Sequence, residues 1–332
     1  MIRMSCTSRF DGTVCLRRLQ VLTLVAAMFV GGAADAAQVV VNGPADSGEF
    51  GARVAVLANG NFVVTDPGFD APGPIADVGA VYLYRADGVL ISTLRGSSAN
   101  DRVGNGGTAL LSNGNYVVSS PEWDNGPVTD AGAVTFGSGS SGISGIVSAS
   151  NSLVGGTAHD QVGNPGVTAL SNGNYVVHST GWDNGAVIDA GAVTFGSGST
   201  GIVGLVSASN SLVGGTAFDF VGSAGVTALS NGNYVVRSPF WDNGAVIDAG
   251  AATFGSGSSG ISGIASASNS LVGGTASDFV GSNGVTALSN GNYVVRSRVW
   301  DNGPVIDAGA ATFGSGSTGI SGIVSASNSL VG

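Results

Sequence analysis

The sequence predicts an all-β protein, read as a β-propeller-like array of five four-stranded blades, with a β-solenoid as the alternative. Three observations predict it. The string Ser-Asn-Gly-Asn-Tyr-Val-Val begins at Ser112, Ser171, Ser230 and Ser289, a spacing of 59 residues each time. Glycine is abundant, 57 of 332 residues, without a collagen triplet, which implies many tight turns between short strands. Hydrophobic residues make up 43% and charged residues 10%, a balance that suits a packed core and not a disordered chain. A unit of this length with meander-like strand order favours radial stacking, because solenoid coils repeat at a shorter period.

A diverged fifth copy, Ala58-Asn59-Gly60-Asn61-Phe62-Val63-Val64, completes the series. The units then span 44–96, 97–155, 156–214, 215–273 and 274–332, after a leader at 1–36 and an extra strand at 37–43. In the second unit, period-two patterning predicts strands over Thr108–Leu111, Asn115–Ser119, Ala133–Phe136 and Val147–Val154. Asn113-Gly114 predicts a two-residue type I′ hairpin turn. The alternation of Val147-Ser148-Ala149-Ser150-Asn151-Ser152-Leu153 predicts one half-exposed outer strand. A unit of this kind exposes an apolar face and must stack on its neighbours. Val39-Val40-Val41 resembles the outer-strand ending of the later units, so one strand is surplus. Either a five-bladed ring carries it on a blade edge, or the array is open.

The leader reads as an export signal. Arg17 and Arg18 precede the apolar run Leu19–Val30, and small residues with Ala34-Asp35-Ala36 offer a cleavage site. The run is shorter than the roughly 20 residues that span a bilayer, so no membrane span is expected in the mature chain. The expected location is secreted, periplasmic or cell surface. Cys6 and Cys15 both lie in the leader, which leaves the mature chain no disulfide or cysteine-based zinc site. Four of the 11 basic residues and two of the 21 acids also lie there, so the remainder carries a formal charge of −12. Such a surface repels phosphate backbones, which argues against nucleic-acid binding and leaves glycan or protein partners.

The first unit carries Phe50-Gly51, Val54-Ala55-Val56-Leu57, Asn59-Gly60-Asn61, Phe62-Val63-Val64, a turn at Pro67, and Gly79-Ala80-Val81-Tyr82-Leu83-Tyr84. These residues resemble the FG-GAP repeat of integrin-type β-propellers, and Val162-Gly163, Ser120-Pro121 and Ser238-Pro239 continue the pattern. The chain also resembles a repeat of unassigned function in large bacterial surface and adhesin-like proteins. Together the resemblances cover about 44–332 and imply a propeller fold with an extracellular binding role. Calcium-binding FG-GAP repeats have an aspartate-rich loop where this chain has only Asn113-Gly114-Asn115 and its counterparts, so that calcium site is not carried over.

Trp123-Asp124, Trp182-Asp183, Trp241-Asp242 and Trp300-Asp301 recur, each followed by Asn-Gly and by a later acid at Asp130, Asp189, Asp248 or Asp307. Exposed indoles could stack on sugar rings, and each aspartate pair offers oxygens to a cation such as calcium. The competing reading makes the acids turn caps and the tryptophans covers of the blade junction. Asp101, Asp160, Asp219 and Asp278 lie between one unit's fourth strand and the next unit's first. In a propeller these connections share a face with the Trp-Asp loops, which makes that face the candidate ligand surface. Near it the copies differ: Ser119, His178, Arg237 and Arg296; Pro121, Thr180, Pro239 and Arg298; Glu122, Gly181, Phe240 and Val299; and Asn100, His159, Phe218 and Ser277. Loops are where binding varies, although relaxed constraint gives the same pattern.

The sequence thus points to a surface-associated binding or adhesion repeat protein, with a structural spacer as the alternative and no cofactor required. An enzyme is not expected. A propeller-type hydrolase or lyase would need a motif, and His159 and His178 sit beside no nucleophile elbow or metal-ligand spacing.

Overall fold

The structure, a computed structural model, describes residues 39–73 and 75–332. The leader expected at 1–36 lies outside the described residues. Every regular element described is a strand, and the strands form five sheets in sequence order.

The first unit folds as β1 (Arg53–Val56), β2 (Phe62–Asp66), β3 (Ala80–Tyr84) and β4 (Leu90–Arg95), an antiparallel meander. The second contributes β5 (Gly107–Leu110), β6 (Tyr116–Ser120), β7 (Ala133–Gly137), β8 (Gly145–Ile146) and β9 (Ser152–Val154). The β5–β6 hairpin differs from the expected two-residue turn. Leu111 N–H donates to the Asn115 carbonyl at 2.9 Å and Gly114 N–H to the Leu111 carbonyl at 3.0 Å, with Gly114 at φ +86°. This is a three-residue loop in which glycine alone takes the left-handed position, so Asn113 is free for another task.

The expected outer strand Val147–Val154 is also corrected. Residues 148–151 form a turn, because the Asn151 side-chain oxygen accepts from Ser148 N–H at 2.9 Å and its amide donates to the Ile146 carbonyl at 2.8 Å. Local side-chain bonds from Ser and Asn compete with strand pairing, and here they outweigh the alternation. The two halves then go to different sheets. β9 pairs antiparallel with β7, whereas β8 pairs parallel with β4 of the preceding unit. The same loan recurs at Gly204–Leu205, Gly263–Ile264 and Gly322–Ile323, each pairing with the preceding outer strand. The first four blades are therefore five-stranded and the last is four-stranded.

Blade stacking makes the core. Val63, Val81, Leu83 and Leu94 on the forward face of the first blade meet Tyr116, Val118, Ala133 and Val154 on the rear face of the second. The next junctions repeat this with Val117, Val134 and Leu153 against Tyr175, Val177 and Ala192, and so on along the chain. Each tyrosine ring lies where a glycine leaves room: a Cβ on Gly137, Gly196, Gly255 or Gly314 would overlap Tyr116, Tyr175, Tyr234 or Tyr293. The Asn-Gly-Asn loops latch successive blades. Asn113 and Asn115 amides donate to the Gly198 carbonyl at 2.7 and 2.8 Å, and Asn172 and Asn174 do the same to Gly257, both at 2.7 Å.

The two ends of the array differ. On the rear face of the first blade, Phe62, Tyr82 and Tyr84 pack with Val41, Val39 and Phe50. The strand expected at 37–43 is limited there to a single bridge at Val40 among residues 39–43. On the forward face of the last blade, Leu330 is 81% exposed, whereas its counterpart Leu271 is fully buried. The first blade does not cover this face, so the array is open there, and the five-bladed ring gives way to the open array.

Candidate functional site

The connections from β4 to β5 and from β6 to β7, with their counterparts, lie against one another. Asp101 ties them together. One carboxylate oxygen accepts from Ser97 and Ser98 N–H, both at 2.7 Å, and the other accepts from Asp124 N–H at 3.0 Å. Asp160, Asp219 and Asp278 make the same three bonds, reaching Asp183, Asp242 and Asp301. All four acids are buried. Burial pushes the carboxyls of Asp101, Asp160 and Asp219 above the usual carboxylate range, against the opposing pull of the backbone N–H groups. Their oxygens are taken by backbone donors and face no solvent. These residues hold the loops in shape and cannot reach a ligand as placed.

The tryptophans are corrected in the same way. Trp123, Trp182, Trp241 and Trp300 are only 3–5% exposed, each within the hydrophobic cluster of its blade junction. Stacking on a sugar needs an open ring face, and the indoles instead fill the space beneath the loops. The rest of the motif is also occupied. Asp124 accepts from Asp130 N–H at 2.8 Å, and Asn125 donates to the Gly155 carbonyl at 3.0 Å. Asp183, Asp242 and Asp301 accept likewise from Asp189, Asp248 and Asp307 at 2.8 Å. Among the described residues no group of three or more His, Cys, Asp or Glu side chains is placed to hold a metal ion. Each aspartate pair is thus a turn clamp, with the second acid at a positive φ of 49–53° that Asp tolerates better than most residues.

What the loop face does present is a set of side chains that differ from blade to blade. The residues on either side of each buried acid, such as Asn100 and Arg102, have φ between 42° and 68° in all four units. That left-handed backbone costs a non-glycine residue about 1 kcal/mol or more. It also turns both flanking positions away from the buried carboxylate. In the first two units the face is charged: Arg102 lies 3.7 Å from Glu49 and 3.8 Å from Glu122. In the third, His159 pairs with Asp130 at 3.2 Å.

In the fourth unit the face is aromatic. Phe218 and Phe220 stand 5.9 Å apart, Phe220 and Phe240 6.5 Å, and Phe240 and Phe279 6.1 Å, centroid to centroid. Phe218 and Phe240 are 55% and 45% exposed, and Phe220 and Phe279 are half-buried beside them. Phe218 and Phe240 stand among the variable positions in the sequence, but Phe220 and Phe279 escape a reading built on the repeated Trp-Asp motif. The available signal is the concentration of phenylalanine in the fourth copy, Phe218, Phe220 and Phe240, with Phe279 in the fifth.

His178 is buried, with its Nε2 2.9 Å from Thr168 Oγ1, and burial lowers its pKa to about 4. A second open region is a largely apolar surface groove of about 810 Å³, lined in part by Leu111, Leu170, Leu229 and Leu288, which follow the first strand of each of the last four units.

Five stretches, 56–105, 110–164, 169–223, 228–282 and 287–332, match the repeat of unknown function DUF5650. No FG-GAP family matches, so the resemblance to integrin-type repeats is withdrawn, together with what it implied about ligand binding. Comparison with curated proteins gives no match. A crystal structure of a protein of unknown function from Bacteroides caccae aligns at 12% identity with a TM-score of 0.33, over 84% of this chain and 80% of that one. A score that low carries no argument.

Proposed function

From the premise that this chain belongs to the DUF5650 repeat family, whose function is unknown, we propose that the array is an extracellular binding module, without catalytic activity, that engages a glycan or protein through its loop face. The supporting observation is the phenylalanine quartet Phe218, Phe220, Phe240 and Phe279. Two of its rings, Phe218 and Phe240, are exposed, at positions where the other units carry Asn100, His159 and Ser277, and Glu122, Gly181 and Val299. Aromatic rings with few rotatable bonds give large contact area at low entropic cost, and exposed clusters of them on loops are a common basis of recognition. The scaffold beneath is held by buried aspartates and indoles that recur unchanged in the last four units. Scaffold and contact residues are thereby separable, which lets one unit acquire a contact surface while its neighbours keep the stack.

The test is the double variant Phe218→Ser and Phe240→Gly, which installs the residues found at the same positions in the fifth and third units. Both forms would be screened on a glycan array and against matrix proteins, with and without calcium. The expected result is at least a tenfold loss of binding with an unchanged melting temperature. Equal binding by the two forms would remove the quartet from consideration. Absence of any ligand for either form would favour the spacer reading, in which identical junctions serve only to extend the chain.

A further inference from the structure

We propose that the open forward face of the last blade is a docking site for a further unit of this same repeat. Four features that seal the last three internal junctions are present on this face and are unengaged. The first is the apolar surface. At the junction between fourth and fifth blades, Ala252 and Leu271 are 1% and 0% exposed, while their counterparts Ala311 and Leu330 are half-buried and 81% exposed. The second is a phenylalanine. Phe136, Phe195 and Phe254 each lie against a glycine of the next unit, Gly201, Gly260 and Gly319, whereas Phe313 is 54% exposed.

The third feature is the latch. Asn231 and Asn233 amides donate to the Gly316 carbonyl at 2.6 and 2.7 Å, but among the described residues the Asn290 and Asn292 amides have no such acceptor. The fourth is the strand edge. The outer strand Ser270–Val272 pairs parallel with Gly322–Ile323, and Val324 N–H donates to the Val272 carbonyl at 2.9 Å. The outer strand Ser329–Val331 has no lent strand. An open edge beside an apolar face is a template for strand addition.

The internal junctions define what fits. The occupant presents a Gly-Ile strand in parallel register, a glycine against Phe313, and a Gly-Ser-Gly loop whose second glycine carbonyl accepts from two asparagine amides. A second copy of this chain does not supply these parts. Among the described residues its four Gly-Ile or Gly-Leu strands are already paired within it, its first unit contributes no such strand, and the rear face of its first blade is packed by Val41 and Phe50. The occupant is therefore a repeat unit whose lending strand is unengaged.

The experiment compares the five-unit chain with one in which residues 274–332 are duplicated after Gly332, by hydrogen exchange of the peptide covering 326–332, marked in both chains by Ser327→Thr at an exposed position because the same seven residues recur at 149–155, 208–214 and 267–273. The expected result is at least tenfold slower exchange in the longer chain, reaching the rate of the internal counterpart 267–273, and loss of that protection in Leu330→Asp. Exchange at the five-unit rate, whether or not the added unit folds, would overturn the proposal. Sedimentation of the five-unit chain separates the other occupant. Self-association that protects 326–332 and disappears in Leu330→Asp would assign the face to a second copy and overturn the choice made here.

Discussion

His178 gives the most quantitative test of how the blades are packed. Its ring lies buried in the second strand of the third blade, bonded to Thr168, with its pKa lowered from 6.5 to about 4 by burial. The unfolded chain therefore takes up a proton first as pH falls. Stability supplied by the neutral ring is complete above pH 6.5 and is lost between there and pH 4. A separation of two to three pKa units corresponds to about 3 kcal/mol over that window. The buried acids Asp101, Asp160 and Asp219 act in the opposite sense, since carboxyls with raised pKa add stability as pH falls towards their ordinary range. The histidine is isolated by difference. His178→Ser places there the residue found at 119, whose hydroxyl donates to the Gly163 carbonyl at 2.7 Å. Urea denaturation of both forms between pH 7.5 and 4.5 should show wild type losing about 2 to 3 kcal/mol relative to the variant. A difference independent of pH would mean that the ring titrates alike in the folded and unfolded chains, and would refute the burial described for it.

Leu271→Ala should cost about 2 to 5 kcal/mol and Leu330→Ala under about 0.5, because the same residue is buried in one unit and exposed in the other; thermal unfolding of the pair checks this. Asp160→Ala strands three backbone N–H groups and should destabilise by about 3 kcal/mol or more, read by chemical denaturation. Gly196→Ala forces a methyl into the Tyr175 ring and should cost at least about 2 kcal/mol, with partial recovery when Tyr175→Leu is added. Asn172→Ala with Asn174→Ala removes one interblade latch and should cost about 1 to 2 kcal/mol, with faster exchange confined to the junction of third and fourth units.

The parts legible in the sequence are those set by local chemistry repeated at fixed spacing. The Asn-Gly hairpins, the paired valines of the second strand and the phase of the units follow from turn residues and alternation. The sequence places the acid loops and the Trp-Asp loops on one face, and the Asp101–Asp124 bond joins them directly, which the sequence does not foretell. What alternation could not show is that Ser148 and Asn151 break the outer strand, because a strand and an Asn-capped turn share the same polar residues. Nor could it show where Trp123 points. An indole at a loop is equally suited to a sugar and to a gap between sheets, and only the placement of neighbouring Val and Leu side chains decides. The phenylalanine quartet brings together residues from three separate loops, and its proximity is a property of the stack.

The lent strand sets a direction in time as well as in space. The edge of β4 waits for Gly145 and Ile146, about fifty residues further along the chain, before its fifth strand arrives. A ribosome therefore releases each blade with one raw edge and finishes it only while making the next. Synthesis from the N-terminus leaves a single unfinished edge at any moment, always on the newest blade, and a chaperone would have one moving target to guard.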